Sequence, residues 1–124
     1  MSDIQFLAVC PVLPVTDLAR SIEFWEKLGF ACAFVDADSV STASYAVVQR
    51  GAMALHMQTF TPEQMVGTQT MATRIVVDDV DRLNAEWEPH GVITAPLGDR
   101  PWGNREFGFY DPDGTPFFFY SDIV

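Results

Sequence analysis

Val15-Thr16-Asp17-Leu18-Ala19-Arg20 and Val77-Asp78-Asp79-Val80-Asp81-Arg82 are two versions of one six-residue phrase, and the spacing between them decides the fold. The offset is 62 residues (77 − 15), half of a 124-residue chain. At the same offset Trp25-Glu26 returns as Trp87-Glu88, and Gly29 as Gly91. A shared offset of half the length predicts two tandem modules, about 1–62 and 63–124, within one domain.

Each phrase carries the same local instructions. Asp17 and Asp79 sit where a carboxylate meets the free amides and positive dipole end of a helix start. Behind them, Leu18, Ile22, Trp25 and Leu28 fall on one helical face, and Val80, Leu83 and Trp87 on another. Those faces are expected to pack on a sheet through Trp25 and Trp87. Gly29 and Gly91 follow as left-handed caps, and Pro89 cuts the second helix short. Strands are predicted over 6–13, 31–37, 44–49, 52–59, 73–77, 93–95, 106–110 and 115–121 from their apolar and aromatic content and their Gly, Pro and Asp boundaries. Gln49-Arg50-Gly51-Ala52 and Asp111-Pro112-Asp113-Gly114 have the chemistry of hairpin turns, and 61–71 that of a linker. The fold class is α+β, two βαβββ modules.

Composition bounds the partners. The apolar share is 48% and the charged share 19%, which suits a globular chain with a real core. No run approaches a membrane span, and Met1-Ser2-Asp3 opens no signal peptide, so a cytoplasmic location without membrane partners is expected. Seventeen acids against seven bases give a net charge of −10, which repels nucleic acid and favours cationic ligands. Cys10 and Cys32 lack CxxC spacing and are expected as reduced, mostly buried thiols.

The order Pro14-Val15-Thr16-Asp17-Leu18, Phe24-Trp25-Glu26-Lys27-Leu28-Gly29-Phe30, Val77-Asp78-Asp79-Val80, Arg105-Glu106-Phe107 and Asp111-Pro112-Asp113-Gly114 resembles the vicinal oxygen chelate (glyoxalase/bleomycin-resistance/dioxygenase) superfamily over nearly the whole chain. The resemblance implies curved mixed sheets around a cavity, pseudo-twofold symmetry, and frequently a homodimer whose cavities use both chains.

Metal-dependent members of that superfamily place a ligand on the first and fourth strand of each module. Carried over by distance from the capping Asp and the hairpin Gly, those positions are Cys10, His56, Ala72 and Phe118. Alanine and phenylalanine cannot coordinate a metal, so no metal or cofactor is expected. Cys10 with His56 is expected as a thiol beside an imidazole on an apolar cavity wall. His90, at a helix C-terminus, is assigned no role.

This loss resembles the bleomycin-resistance proteins, which sequester a drug without chemistry. In these, the resemblance implies, a tryptophan nine residues before the Asp-Pro-Asp-Gly turn lies at the ligand groove; here it is Trp102. Strand alternation adds Pro116, Phe118 and Tyr120, then Ala54, His56 and Gln58, then Glu106, Gly108 and Tyr110 to the cavity walls. Glu106 is the acid expected nearest a cationic ligand, or else paired with Arg105 or Arg100. Phe34, Asp36, Asp38, Tyr45 and Phe60 form an expected rim. The function expected is non-catalytic binding of a flat, aromatic, cationic, antibiotic-like molecule. The alternative is a glyoxalase- or dioxygenase-like enzyme, metal-assisted or using Cys10, His56 or Glu106 as acid–base groups.

Overall fold

The chain, as described by a computed structural model over residues 3–68 and 71–123, runs β1 (Val12–Val15), α1 (Leu18–Lys27), β2 (Ala31–Val35), β3 (Tyr45–Arg50), β4 (Met53–Thr59), α2 (Pro62–Met65), β5 (Thr73–Val76), α3 (Val80–Trp87), β6 (Ala95–Asp99), β7 (Asn104–Tyr110) and β8 (Pro116–Asp122). Both long helices start at the repeated aspartates: Asp17 accepts the amide of Arg20 and Asp79 that of Arg82, each at 3.1 Å. Gly91 closes the second helix with φ +68°, after Pro89 has tightened its end into a 3-10 turn.

Each module folds its own sheet, in the order β1-β4-β3-β2 and β5-β8-β7-β6. In both, the first strand pairs parallel with the last and the remaining pairs are antiparallel. Alternation then sends one side of each sheet inward. Leu13, Val15, Ala46, Val48, Leu55 and Met57 of the first sheet share one core with Ile75, Phe107, Phe109, Phe117 and Phe119 of the second. Trp25, on α1, joins the two: its ring centroid lies 5.1 Å from Phe30 and 4.9 Å from Phe117. Since both sheets turn their apolar sides to this common core, their outer faces point away from one another. Each large side chain so buried contributes about 1.5–3 kcal/mol.

Polar contacts tie the modules at two crossings. Where α1 ends, the Leu28 carbonyl accepts Trp87 Nε1–H at 3.0 Å and Arg50 Nη1–H at 2.8 Å. Arg50 also forks onto Glu86 at 2.7 and 2.9 Å, a pairing that raises the guanidinium pKa and lowers that of the carboxyl. Where α1 begins, Asp113 of the loop after β7 accepts from Thr16 Oγ1 at 2.6 Å and Arg20 Nη2 at 3.1 Å.

Four expectations are corrected. The first strand covers only Val12–Val15; residues 3–11 belong to no strand, and Phe6 is 98% exposed. Pro11 has no N–H to give a ladder, and among the described residues none buries Phe6, Leu7 or Val9. The strand expected at 93–95 is instead Ala95–Asp99, an edge strand whose irregular register between Ala95 and Gly98 accommodates Pro96. The expected linker holds α2, closed by a reciprocal Thr61–Gln64 capping box; its Gln69 and Thr70 lie outside the described residues. Cys10 and Cys32 are both exposed, because one precedes β1 and the other lies on the edge strand β2.

Candidate functional site

The outer face of the first sheet is built in rows across its strands. Register lines up Val12, His56, Val47 and Phe34 in one row, and Pro14, Gln58 and Tyr45 in the next. Tyr45 Oη lies 2.8 Å from His56 Nδ1, with the rings edge to face. Asp36 fixes the start of β3, and hence Tyr45, by accepting the amides of Ser44 and Tyr45 at 2.8 and 3.2 Å; hydrogen bonds from Ser44 hold its carboxyl below the ordinary range. Asp36, expected on the rim, also anchors this turn. The His56 amide donates to Pro11 O at 3.0 Å, and exposed Cys10 lies two residues before Val12, where this row begins.

On the second sheet the corresponding rows are Arg74, Phe118, Gly108 and Ala95, then Val76, Tyr120, Glu106 and Gly98. Gly108 is required here: a Cβ at this position would meet the Phe118 ring at 2.8 Å and the Phe117 carbonyl at 2.9 Å. Its absence lets the Phe118 ring lie against β7 as a flat platform. Arg74 reaches along this face, its guanidinium 4.5 Å from the Tyr120 ring centroid and 6.0 Å from that of Phe118. It donates to Asn104 Oδ1 at 3.1 Å and, more loosely, to Glu106 Oε1 at 3.4 Å. Arg100 approaches the same carboxylate oxygen at 4.0 Å. Glu106 is thus only 2% exposed beneath two guanidiniums. Arg105, by contrast, points to the other side and pairs with Asp81 and Asp99.

Trp102 stands at the tip of the turn between β6 and β7, 63% exposed. The turn is closed by Gly103 N donating to Arg100 O at 3.1 Å, with Gly103 at φ +93°. Tyr110 is exposed at the far end of β7, and Phe60 is half-buried just past β4, its amide bonded to Val15 O at 2.8 Å. Of the residues singled out in the sequence, Glu106, Phe118 and Tyr110 share the outer face of the second sheet, and His56 and Phe34 that of the first. Those two groups do not meet within one chain.

Cys10 and His56 stand on the first sheet's side, Ala72 and Phe118 on the second's, and two of the four side chains are hydrocarbon. Among the described residues no three His, Cys, Asp or Glu side chains are grouped to hold a metal ion. These residues do not fit a metal. Among the described residues, no helix is long and apolar enough to cross a membrane.

Arg74, Arg100 and Tyr120 form the polar centre of the second face, yet only Tyr120 was singled out as facing a ligand. Alternation from buried Ile75 does turn Arg74 outward, but its reach onto β7 is a tertiary fact with no local signal.

Comparisons with known proteins agree with this fold. A bleomycin resistance protein of Geobacillus stearothermophilus is 27% identical over 131 aligned positions, covering 91% of this chain and 95% of its own. Among solved structures, the bleomycin-binding protein of Streptomyces verticillus, complexed with copper(II)-bleomycin, superposes with a TM-score of 0.73 at 30% identity, over 98% of each chain. The bleomycin resistance determinant encoded on transposon Tn5 superposes at 0.80, covering 96% of this chain and 100% of its own; at 22% identity that likeness is one of fold. Residues 6–119 match the family model, and the chain belongs to the Glyoxalase/Bleomycin resistance protein/Dioxygenase superfamily.

Proposed function

We propose that this chain is a non-catalytic, homodimeric binding protein that sequesters a flat aromatic small molecule of antibiotic type. The observation that carries the reading is the Phe118 ring lying against Gly108 where a metal-binding relative would offer a ligand: the position has become a stacking platform. Exposed Trp102 adds a second aromatic plane beside the same sheet. The names of the bleomycin-resistance and bleomycin-binding relatives support antibiotics as the ligand class.

Two features support the homodimer. The two outer faces of one chain are turned apart, so a cavity walled by both kinds of face needs two chains. Phe6, Leu7 and Val9 also stand almost wholly in solvent, an apolar segment that a second copy would cover. A second reading, a metal-free enzyme, draws on the Tyr45–His56 hydrogen bond, which holds an imidazole in fixed orientation as acid–base catalysis requires.

The test is a bleomycin titration of the purified protein, followed by tryptophan fluorescence, with sedimentation and product analysis on the same samples. Saturable binding by a particle of twice 13.8 kDa, without product, is expected. Trp102→Ala should weaken that binding by about 1–3 kcal/mol. Product formation would favour the enzyme, and a monomeric complex would remove the shared cavity.

A further inference from the structure

We infer that His56 presents a fixed Nε2–H donor on the first sheet's outer face, and that this face selects an aromatic molecule with a neutral hydrogen-bond acceptor, a carbonyl oxygen or a ring nitrogen, at its edge. Tyr45 is the positioning residue that fixes the donor. The inference rests on the binding reading above and adds to it the chemistry of the ligand's polar edge.

The imidazole is held from one edge only. Its Nδ1 lies 2.8 Å from Tyr45 Oη, with the rings edge to face. A phenolic O–H is a stronger donor than an imidazole N–H, and an unprotonated ring nitrogen a stronger acceptor than a phenol oxygen, so the bond runs from Oη to Nδ1. A neutral imidazole carries one ring proton, and an accepting Nδ1 leaves that proton on Nε2. Among the described residues Nε2 has no hydrogen-bond partner, yet it is not one of the sealed, unsatisfied atoms. It is open to whatever covers the face. Tyr45 is itself tied down at its backbone. Its amide donates to Asp36 Oδ1 at 3.2 Å, its carbonyl accepts the Asp36 amide at 3.1 Å, and the preceding Ser44 gives Asp36 its amide and hydroxyl at 2.8 and 2.9 Å. These bonds fix where the phenol starts, and the phenol fixes the imidazole.

The surroundings of this donor decide what it reads. His56 holds in the first module the position that Phe118 holds in the second (118 − 62), and β4 and β8 are both interior strands, so each residue stands well inside its sheet. The rest of its row is Val12, Val47 and Phe34, with Val12 50% and Phe34 52% exposed. A flat ring laid on such a wall drives out water. An N–H then left without an acceptor costs as much as a hydrogen bond gains, or more. A carbonyl oxygen or ring nitrogen at the edge of the ligand meets the N–H, and a hydrocarbon edge does not. In a cavity walled by one face of each kind, Phe118 stacks on the ring while His56 reads its edge. A neutral donor sets no condition on the ligand's overall charge, so a cationic drug is accepted provided that the edge over His56 carries an acceptor.

The experiment uses two probes of one shape, 2-acetylnaphthalene and 2-isopropenylnaphthalene, which differ only in a carbonyl oxygen against a methylene, with bleomycin as a third titrant. Calorimetry on the wild-type protein is expected to show the ketone bound about five- to tenfold tighter than the alkene. His56→Phe, which keeps a flat ring at this position, should bring the ketone down to the alkene's level and leave the alkene within about twofold. Arg105→Gln, on the opposite side of the second sheet, should leave both probes unchanged. In nitrogen NMR spectra of the neutral imidazole, wild-type His56 should show one tautomer, with the proton on Nε2. Tyr45→Phe should return the averaged signals of a free ring, a change that a merely structural role for the tyrosine would not produce. Equal binding of ketone and alkene, a preference that survives His56→Phe, or a proton on Nδ1 overturns the inference while leaving small-molecule binding in place. Binding of bleomycin without either naphthalene does the same. No saturable binding of any of the three overturns the inference and the binding reading together. Because the probe comparison and the tautomer are both read on the wild-type protein, a poorly folded variant does not decide the outcome.

Discussion

The two modules agree on their inner sides and part company on their outer ones. Inside, Trp25 and Trp87 occupy equivalent helical positions, and both are buried against the phenylalanines of β7 and β8. Outside, Val12, His56, Val47 and Phe34 cross the first sheet where Arg74, Phe118, Gly108 and Ala95 cross the second. The first row presents an imidazole fixed by a tyrosine. The second presents a phenyl platform spanned by a guanidinium. A shared core fixes volume and shape at every inward position, whereas outward positions answer only to what they bind. A cavity walled by one face of each kind is chemically lopsided, which suits a ligand with a polar edge and a flat apolar body.

The hairpin ends show the same divergence, and they give the largest predicted effect. The first hairpin closes through residues 51–52, the second through residues 111–115, where Asp111 is buried. Burial raises its carboxyl to about 6, although the amides of Thr115 and Asp113 donate to it at 2.8 and 3.0 Å. A carboxyl raised in the folded state keeps its proton between about pH 4 and 6 while the unfolded chain has lost it. Stability should therefore rise as pH falls through 6 and decline as pH rises, by on the order of 2–3 kcal/mol from this group. Denaturant unfolding of Asp111→Asn across that window should lack this slope. Wild-type and variant curves that run parallel would contradict the assignment.

The platform can be broken next. Gly108→Ala forces a Cβ between the Phe118 ring and the Phe117 carbonyl and should cost about 2 kcal/mol. Val47→Ala, in the corresponding row of the first sheet, should cost less than about 1 kcal/mol. Equal losses in thermal unfolding would mean that the two faces are packed alike. The smallest effect concerns the tryptophans. Trp87 Nε1–H has the Leu28 carbonyl, whereas that of Trp25 is buried with no hydrogen-bond partner among the described residues. Replacing each by Phe removes similar bulk, so Trp87→Phe should be the more destabilising by about 1 kcal/mol. The reverse order in urea midpoints would sink this account.

The sequence was most legible where its signals were local. Both helices could be placed from a capping aspartate, an apolar stripe and a glycine within a dozen positions. The inward phenylalanines of β7 and β8 followed from alternation alone. Residues 3–11 misled because their composition is that of a strand while no described residue buries Phe6, Leu7 or Val9. β6 was misplaced because Pro96 and Gly98 carry the signature of a loop, and only the edge of a sheet tolerates them within a strand. At the candidate site, the outward direction of Glu106 was readable from its neighbours. That Arg74, from a strand two places away in the sheet, would lie over it was not, since this depends on the reach of one side chain across Tyr120.

The Leu28 carbonyl bears on how quickly the molecule assembles. It terminates a helix that the first module completes from neighbouring residues, yet one of its two hydrogen-bond donors is Trp87, 59 positions further along the chain. The contact cannot form until the second module has ordered α3, and closing so long a stretch is entropically slow. The first half of the chain should reach its secondary structure early and its final rigidity late, with the indole–carbonyl bond as a clock for the last step of folding.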